Sequence, residues 1–250
     1  MAWTAWMRAE TGGVEVLPSL YAADFMRLGE QIESLLAAGC RLFHFDVGDG
    51  HFIPPVTIGP VILRSIAPAI HAAGGLIDCH LMVDNPGRHF EEIAASGGAT
   101  VSFHHEVCAG PVELATLTAA ARAHGLVPGL AFNPGTPVAA VARDAVAAGS
   151  EFVLCMSIQP GYSGQPFLPA ALDRIAELRG LLPADVPIEV DGGISAGNIA
   201  SLRSAGAALL VAGNAVFAAA DPGAAYRVLA ASAEAAPAAA APATPAPTRP

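Results

Sequence analysis

Short apolar runs alternate with alanine-rich amphipathic segments along most of this 250-residue chain. The runs are almost continuously apolar, which is typical of strands buried on both faces of a parallel sheet. We predict strands at 14–18, 41–47, 76–81, 99–104, 127–132, 151–156, 187–191 and 207–212. We predict helices at about 24–38, 60–72, 87–96, 111–124, 137–148, 169–181, 196–205 and 222–233.

Eight strands that alternate with eight helices indicate an α/β protein, and at this length a single closed (β/α)8 TIM barrel is the natural solution. An open doubly wound sheet is the alternative, but no GxGxxG motif follows the first predicted strand. We place the barrel at 14–233, after a flexible N-terminal lead-in at 1–13. Residues 234–250 are rich in alanine and proline, and we expect a disordered tail there.

The amino-acid composition excludes some enzyme mechanisms and argues against some partners. The hydrophobic fraction of 53% and charged fraction of 14% fit a well-buried globular protein with a net charge of −10. All twelve basic residues are arginine, so mechanisms that need a lysine, such as Schiff-base aldolase or pyridoxal phosphate chemistry, are excluded. The arginines are scattered, which argues against a nucleic-acid partner.

The N-terminal segment, the most apolar stretch and the cysteines bear on localisation. The N-terminal segment lacks the basic start and long apolar run of a signal peptide. The most apolar stretch, 205–220, is broken by Gly213 and Asn214 and is too short to cross a membrane. The four cysteines form no CxxC pair and sit among apolar residues, as reduced thiols do. We therefore expect a cytoplasmic protein with no membrane partner.

Potential metal ligands stand at the ends of the predicted strands, where barrel enzymes place their active sites. His44 and Asp46 lie two residues apart on one strand, so their side chains point to the same face. His80 and Asp191 end two other strands, and strand ends converge on the axis of a closed barrel. Two imidazoles and two carboxylates suit one divalent metal ion, Zn²⁺, Fe²⁺, Mn²⁺ or Co²⁺, without selecting among them.

Each of these residues also has a structural interpretation. A single buried histidine is commonly a hydrogen-bonded core residue, and an aspartate before two glycines often belongs to a turn. The joint occurrence of all four at strand ends favours a metal site. His104 and Glu106 are expected to hydrogen-bond behind the ligands rather than to act directly. The remaining histidines lie in loops or helices and receive no catalytic role: His51, His71, His89, His105 and His124.

Glycine-rich loops follow the last three predicted strands: PGYSGQPF (160–167), DGGIS (191–195) and AGN (212–214). Glycine lets backbone N–H groups approach phosphate oxygens, and barrels often bind phosphate after strands seven and eight. One glycine pair is weak support, since glycine also makes ordinary turns. Three such loops in succession predict a phosphate site that needs no lysine.

Several long motifs occur here in the order found in ribulose-phosphate 3-epimerases. They are PSLYAADF (18–25), HFDVGDGHF (44–52), DCHLMVDNP (78–86), FHHE (103–106), NPGTP (133–137), PGYSGQPF (160–167), EVDGGI (189–194) and VAGNAVF (211–217). From about Val16 to Phe217 the chain resembles that family of phosphate-binding barrels. The resemblance implies an isomerase of the pentose phosphate pathway that converts D-ribulose 5-phosphate to D-xylulose 5-phosphate through an enediolate.

The resemblance also implies residue roles. The metal ligands would be His44, Asp46, His80 and Asp191, with Asp46 and Asp191 also the acid–base pair. The phosphorylated ketose would be held by Ser19, His80, Gly161, Tyr162, Ser163, Gly164, Gly192, Gly193, Gly213 and Asn214. Gly48, Met82 and Met156 would line the site. The sequence leaves open whether the chain forms a homo-oligomer.

The chain departs from the family at several positions. Gly48 stands where methionine is usual, which we expect to open space over the sugar. Pro55 and Gln159 replace asparagines, Tyr162-Ser163 replaces Phe-Gly, and Asn214 replaces a serine. Two alternatives follow: a 3-epimerase of another ketose phosphate such as allulose 6-phosphate, or a non-catalytic sugar-phosphate-binding barrel. A hexulose-phosphate synthase would need the lysine of its DxKxxD motif, which this chain lacks.

Overall fold

Eight parallel strands form one sheet in the computed structural model, which describes residues 13–239. The strands are β1 Glu15–Pro18, β2 Leu42–Gly48, β3 Leu76–Met82, β4 Thr100–His104, β5 Val127–Phe132, β6 Phe152–Met156, β7 Ile188–Asp191 and β8 Leu209–Ala212. The helices are α1 Leu28–Ala37, α2 Pro60–Ala72, α3 Phe90–Ala95, α4 Pro111–Ala123, α5 Val138–Ala148, α6 Ala171–Leu181, α7 Ile199–Ala205, α8 Asn214–Phe217 and α9 Pro222–Ala235. This confirms the predicted TIM barrel.

The sheet runs in the order β1-β8-β7-β6-β5-β4-β3-β2, which leaves β1 and β2 as its two edges. Within the described residues, these edges meet through one isolated parallel bridge between Ser19 and His44, and not through a ladder. The barrel is therefore closed at one level only, beside the C-terminal ends of the strands. We call this bridge the seam.

Alternation along the strands separates two kinds of interior. On β2, Phe43, Phe45 and Val47 face outward into the main apolar core shared with the helices. The intervening positions face the barrel axis, where Leu42 packs against Leu17, Leu209 and Val211. The register places His44 opposite Asp78 and Asp46 opposite His80. Polar side chains therefore stack directly above an apolar floor inside the barrel.

Helix boundaries differ from prediction where local hydrogen bonds intervene. The predicted start of the first helix at 24 is wrong, because two 3₁₀ turns, Leu20–Ala22 and Phe25–Arg27, precede α1. The Asp24 carboxylate accepts the Met26 N–H at 3.0 Å and holds the second turn. The seventh helix begins at Ile199, later than predicted, because the Asn198 side chain accepts the Ser195 N–H at 2.9 Å. Helix α8 was not predicted.

The ends of the chain are only partly described. Helix α9 continues to Ala235, two residues beyond the predicted barrel limit of 233. The predicted lead-in at 1–13 lies almost entirely outside the described residues, as do positions 240–250 of the predicted tail. Within the described range, every helix is too short or too polar to span a bilayer.

Candidate active site

Four side chains from three strands converge at the C-terminal end of the barrel. One ligand atom each of His44, Asp46, His80 and Asp191 lies within 4.8 Å of the other three. The Nε2 atom of His44 is 3.2 Å from Asp46 Oδ1, and His80 Nδ1 is 3.4 Å from the same oxygen. His80 Nδ1 is also 3.8 Å from Asp191 Oδ2. The structure thus brings together the four residues that the sequence singled out.

His44 is held from below by carboxyl groups inside the barrel. Its Nδ1 atom lies 2.7 Å from Asp78 Oδ2 and 3.2 Å from Glu189 Oε1. Asp78 also accepts a hydrogen bond from the Thr100 hydroxyl. The Nε2 atom of His44 faces Asp46 and the cluster, so an imidazole that keeps its hydrogen on Nδ1 would offer the Nε2 lone pair to a cation there.

His80 has a different support. Its Nε2 atom faces His104 Nε2 at 2.8 Å, and His104 Nδ1 lies 3.2 Å from Glu106 Oε2. The other carboxylate oxygen of Glu106 accepts the Asn133 N–H at 2.8 Å and the Thr136 hydroxyl. His80 Nδ1 is buried and makes no hydrogen bond within the described residues. An unpaired nitrogen at this place fits a cation ligand.

Asp46 is fixed by neighbours on both sides of the seam. The Ser19 hydroxyl donates to Asp46 Oδ2 at 2.6 Å, and the Thr57 hydroxyl donates to the Asp46 carbonyl at 2.8 Å. Ser19 therefore connects the end of β1 to the carboxylate on β2. Asp191 is held through its backbone, since Ser157 N–H donates to its carbonyl at 2.7 Å. Its own carboxylate makes contact with the cavity and is 17% exposed.

The two aspartates bind protons very differently. Burial, then the charge of Asp46, raises the pKa of Asp191 to about 7. Burial also acts to raise the pKa of Asp46, but the positive charge and the hydrogen bond of His44 outweigh it and place that pKa below its usual range. Burial lowers the pKa of His80 to about 4, so its imidazole is neutral at pH 7. A buried site with one carboxylate, one weakly acidic carboxyl group and neutral His80 can accept and donate protons.

A cavity of about 340 Å³ opens above the cluster. Its lining includes Asp46, Asp191 and the methionines Met82 and Met156, together with the glycine loops after β6, β7 and β8. The predicted substrate-binding residues lining it are Ser19, Gly161, Tyr162, Ser163, Gly164, Gly192, Gly193, Gly213 and Asn214. His44 and His80 lie beneath the lining and are fully buried.

Glycine is required where these loops pass close to other backbone. Gly193 has φ +64°, and a Cβ there would lie 2.6 Å from the backbone nitrogen of Phe167. The Ser163 hydroxyl, from the loop after β6, donates to Asn214 Oδ1 at 3.1 Å, at the start of α8. The three loops therefore form one continuous concave surface of backbone groups and small polar side chains.

The expectation for Gly48 is corrected by the structure. Gly48 ends β2 rather than starting a loop, and it is not among the cavity-lining residues. A Cβ at this position would lie 2.4 Å from Ile53 Cδ1, so Ile53 already fills the space expected to be open. The loop 49–57 folds back through a bridge between Asp49 and Val56, which puts Ile53 there.

Sequence reasoning missed several residues of the site. Tyr21, Ile158, Gln165, Ile194, Ser195, Val211 and Ala215 also line the cavity. Tyr21 and Gln165 lie within motifs that were recognised, so their place in those motifs was the available signal. Glu189, whose side chain faces His44, sits two residues before Asp191 on β7, where strand alternation predicts the same face.

Comparison with solved structures shows the same barrel in enzymes of several kinds. A 3-hexulose-6-phosphate synthase from Salmonella typhimurium superimposes with a TM-score of 0.66 at 15% identity, covering 88% of this chain and 96% of that one. An orotidine 5'-phosphate decarboxylase from Pyrococcus horikoshii OT3 has a TM-score of 0.64 at 16% identity, covering 88% and 99%. At these identities the likeness concerns the fold alone.

Sequence comparison is more specific. Residues 15–217 match the model of the ribulose-phosphate 3 epimerase family. The ribulose-phosphate 3-epimerase of Escherichia coli K12 is 38% identical over 205 residues, which cover 81% of this chain and 88% of that protein. The cytoplasmic isoform of the Oryza sativa enzyme is 36% identical over 227 residues, covering 90% and 97%. The chain therefore belongs to the ribulose-phosphate 3-epimerase family and is an isomerase that acts on carbohydrates.

Proposed function

We propose that this protein interconverts D-ribulose 5-phosphate and D-xylulose 5-phosphate by epimerisation at C3. The observation that carries the proposal is the pair of carboxyl groups, Asp46 and Asp191, within one His2Asp2 cluster at the floor of a cavity. The named activity of the Escherichia coli and Oryza sativa relatives supports the substrate. The metal ion, the proton-transfer scheme and the residue roles are part of the proposal.

Proton transfer would use the two aspartates in turn. The C3 proton of a 2-ketose is acidic because its removal gives an enediolate with the C2 carbonyl. Asp46 and Asp191 end strands three steps apart around the barrel, so a sugar between them is approached from two sides. One carboxylate takes the proton and the other carboxyl group returns one to the opposite face, which inverts C3. Each such group contributes about 10²–10⁴ in rate.

The four ligand atoms fit one divalent cation in their number, spacing and chemistry. Both histidines present a ring nitrogen to the cluster, and the orphaned His80 Nδ1 has no other partner within the described residues. When bound, the cation would supply Lewis-acid polarisation of the ketone. Ser19 would keep Asp46 oriented through its hydrogen bond to Oδ2.

The phosphate group would lie at the other end of the cavity. Backbone N–H groups of the three glycine loops, with Ser163 and Asn214, offer hydrogen bonds to a dianion without a basic side chain. This arrangement fixes the sugar by its phosphate and leaves C2 and C3 over the aspartates. The cavity volume of about 340 Å³ suits a small phosphorylated sugar held in this way.

Exchange of the C3 proton with solvent deuterium tests the function directly. Protein loaded with Zn²⁺, Mn²⁺, Fe²⁺ or Co²⁺ is mixed with ribulose 5-phosphate in D₂O, and proton NMR follows C3 and the appearance of xylulose 5-phosphate. We expect exchange and epimerisation together. Exchange with allulose 6-phosphate but not ribulose 5-phosphate would assign a different ketose phosphate. No exchange with either sugar, on metal-loaded protein, would favour a non-catalytic sugar-phosphate-binding barrel.

A further inference from the structure

Three side chains run from the protein surface to the cluster: Glu106, His104 and His80, which we call the relay. His104 and His80 are fully buried, and only Glu106 reaches solvent, with 23% of its side chain exposed. The contacts are 3.2 Å between Glu106 Oε2 and His104 Nδ1, and 2.8 Å between the two Nε2 atoms. The line connects the loop after β4 to a candidate metal ligand on β3.

The contact between the two Nε2 atoms does not by itself determine which ring carries the hydrogen. Two neutral imidazoles that meet nitrogen to nitrogen share one hydrogen, which either ring can carry. In one arrangement His80 donates, and its Nδ1 keeps a lone pair toward the cluster. In the other arrangement His104 donates, and His80 carries its hydrogen on Nδ1, where it blocks a cation. The contact alone is therefore ambiguous.

Glu106 removes the ambiguity, because its contact with His104 is a hydrogen bond, whereas His80 Nδ1 makes none with Asp46, 3.4 Å away. Its Oε1 is occupied by two donors, the Asn133 N–H and the Thr136 hydroxyl, so Oε2 is the oxygen that faces His104. An ionised carboxylate only accepts hydrogen bonds, so His104 must carry its hydrogen on Nδ1. His104 Nε2 is then an acceptor, His80 must donate from Nε2, and the His80 Nδ1 lone pair faces Asp46 and Asp191.

We infer that Glu106 and His104 are positioning residues that fix the tautomer of His80, and through it the affinity of the site for a divalent cation. The inference rests on the metal site of the proposed function. His44 needs no such intermediate, because Asp78 accepts directly from its Nδ1 at 2.7 Å. Each histidine thus turns a ring lone pair toward the cluster, His44 as the Nδ1–H tautomer through one contact and His80 as the Nε2–H tautomer through two.

The substitution Glu106→Gln reverses the direction of both hydrogen bonds in the relay with little change in side-chain shape. The two donors at Oε1 hold the amide oxygen in place, so the amide NH₂ replaces Oε2 and donates to His104 Nδ1. His104 then carries its hydrogen on Nε2, and His80 is forced to protonate Nδ1. We expect Zn²⁺ and Co²⁺ affinity, measured by competition with a chromophoric chelator, to fall about 10- to 100-fold. We also expect ¹⁵N imidazole spectra of metal-free protein at pH 8 to show the tautomer of His80 inverted.

Asp144→Asn is the matched control. Asp144 Oδ1 accepts from Arg143 Nε at 2.9 Å and its Oδ2 faces His105 Nε2 at 3.0 Å, so the same amide change reverses a histidine contact outside the cluster. We expect wild-type affinity for Zn²⁺ and Co²⁺. The double variant Glu106→Gln/His104→Gln is the rescue, because the amide introduced by His104→Gln can turn its oxygen to His80 Nε2. It should recover affinity although the Glu106 charge is still lost.

The outcomes separate the two proposals. Wild-type protein that binds neither Zn²⁺ nor Co²⁺ would overturn the metal site, and the ¹⁵N spectra would then decide the relay alone. Glu106→Gln with unchanged metal affinity and an unchanged His80 tautomer would overturn the relay and leave the metal site standing. If Glu106→Gln fails to fold, His104→Gln is compared with His104→Leu. The relay requires tight binding in the first and weakened binding in the second, and equal affinity would overturn it.

Discussion

Two carboxyl groups, buried Asp46 and half-buried Glu15, lie at opposite ends of the barrel and have opposite pKa shifts. Asp46 lies at the C-terminal end beside two imidazoles, and its pKa is held below the usual range. Glu15 lies at the N-terminal end, where its Oε1 accepts the Tyr226 hydroxyl at 2.8 Å. Burial raises the pKa of Glu15 to about 7 despite that bond. The positive charge of His44 keeps Asp46 ionised in the interior, whereas the neutral phenol of Tyr226 does not do so for Glu15.

The comparison predicts the largest effects at the C-terminal end. Asp46→Asn and Asp191→Asn each remove one of the two proposed proton-transfer groups while keeping the side-chain shape. We expect kcat to fall about 10²- to 10⁴-fold in each variant, with binding of ribulose 5-phosphate retained. Steady-state kinetics and calorimetric titration measure the two quantities. Either variant retaining near wild-type turnover would contradict the two-base scheme.

The phosphate end of the same cavity gives the next effect. Asn214→Asp keeps the shape and the acceptor for Ser163 but places a negative charge beside the expected dianion. Two like charges about 6 Å apart repel by roughly 2–3 kcal/mol at an effective dielectric of about 20. We expect KM for ribulose 5-phosphate to rise about 10- to 100-fold with a much smaller change in kcat.

Asn214→Ala is the control for that change. It removes the polar side chain without adding charge, so its KM should rise less than that of Asn214→Asp. High salt should narrow the difference between the two variants, since exposed charges are screened. Equal KM values for Asn214→Asp and the wild type would place the phosphate elsewhere in the cavity.

The smallest effect concerns Glu15 and is seen in stability rather than in catalysis. Because the folded state raises its pKa from 4.5 to about 7, the stability linked to its proton is present below pH 4.5 and is lost as pH rises through 7. Ionised Glu15 should cost at most about 3 kcal/mol at pH 8. We expect Glu15→Gln to melt several degrees above the wild type at pH 8, with the gap closing by pH 4.5.

Thermal denaturation of both proteins at the two pH values checks this. Glutamine retains the oxygen that accepts from Tyr226, so the variant isolates the charge. Turnover should be unchanged, because Glu15 lies at the opposite end of the barrel from the cluster. A melting difference that is independent of pH would show that Glu15 keeps a normal pKa.

The strands and the cluster of four side chains could be predicted from the sequence, for physical reasons. Strands buried on both faces are apolar throughout, so the predicted strand at 127–132 matches β5 at both ends. Strand alternation and convergence put His44, Asp46, His80 and Asp191 on one axis, and the structure brings them together. Each of these inferences uses only the local period of a strand and the closure of a parallel barrel.

The features that the sequence did not predict depend on loop folding, on a very short helix and on a contact between two loops. We expected open space at Gly48 because glycine has no side chain. The side chain of Ile53 fills that space, because the loop 49–57 folds back onto β2. Helix α8 is four residues long, too short to show a helical period. The direction of the His104 to Glu106 bond depends on Asn133 and Thr136, which lie on a different loop.

Few hydrogen bonds among the described residues close the barrel at the seam. Its two edge strands are joined by the bridge at Ser19 and His44, and by the hydroxyl of Ser19 on Asp46. Any molecule held by Ser19 and Asp46 together therefore also fastens β1 to β2. Binding free energy is then shared with closure of the sheet, and it adds RT ln(1 + [L]/Kd) to the stability of the closed form.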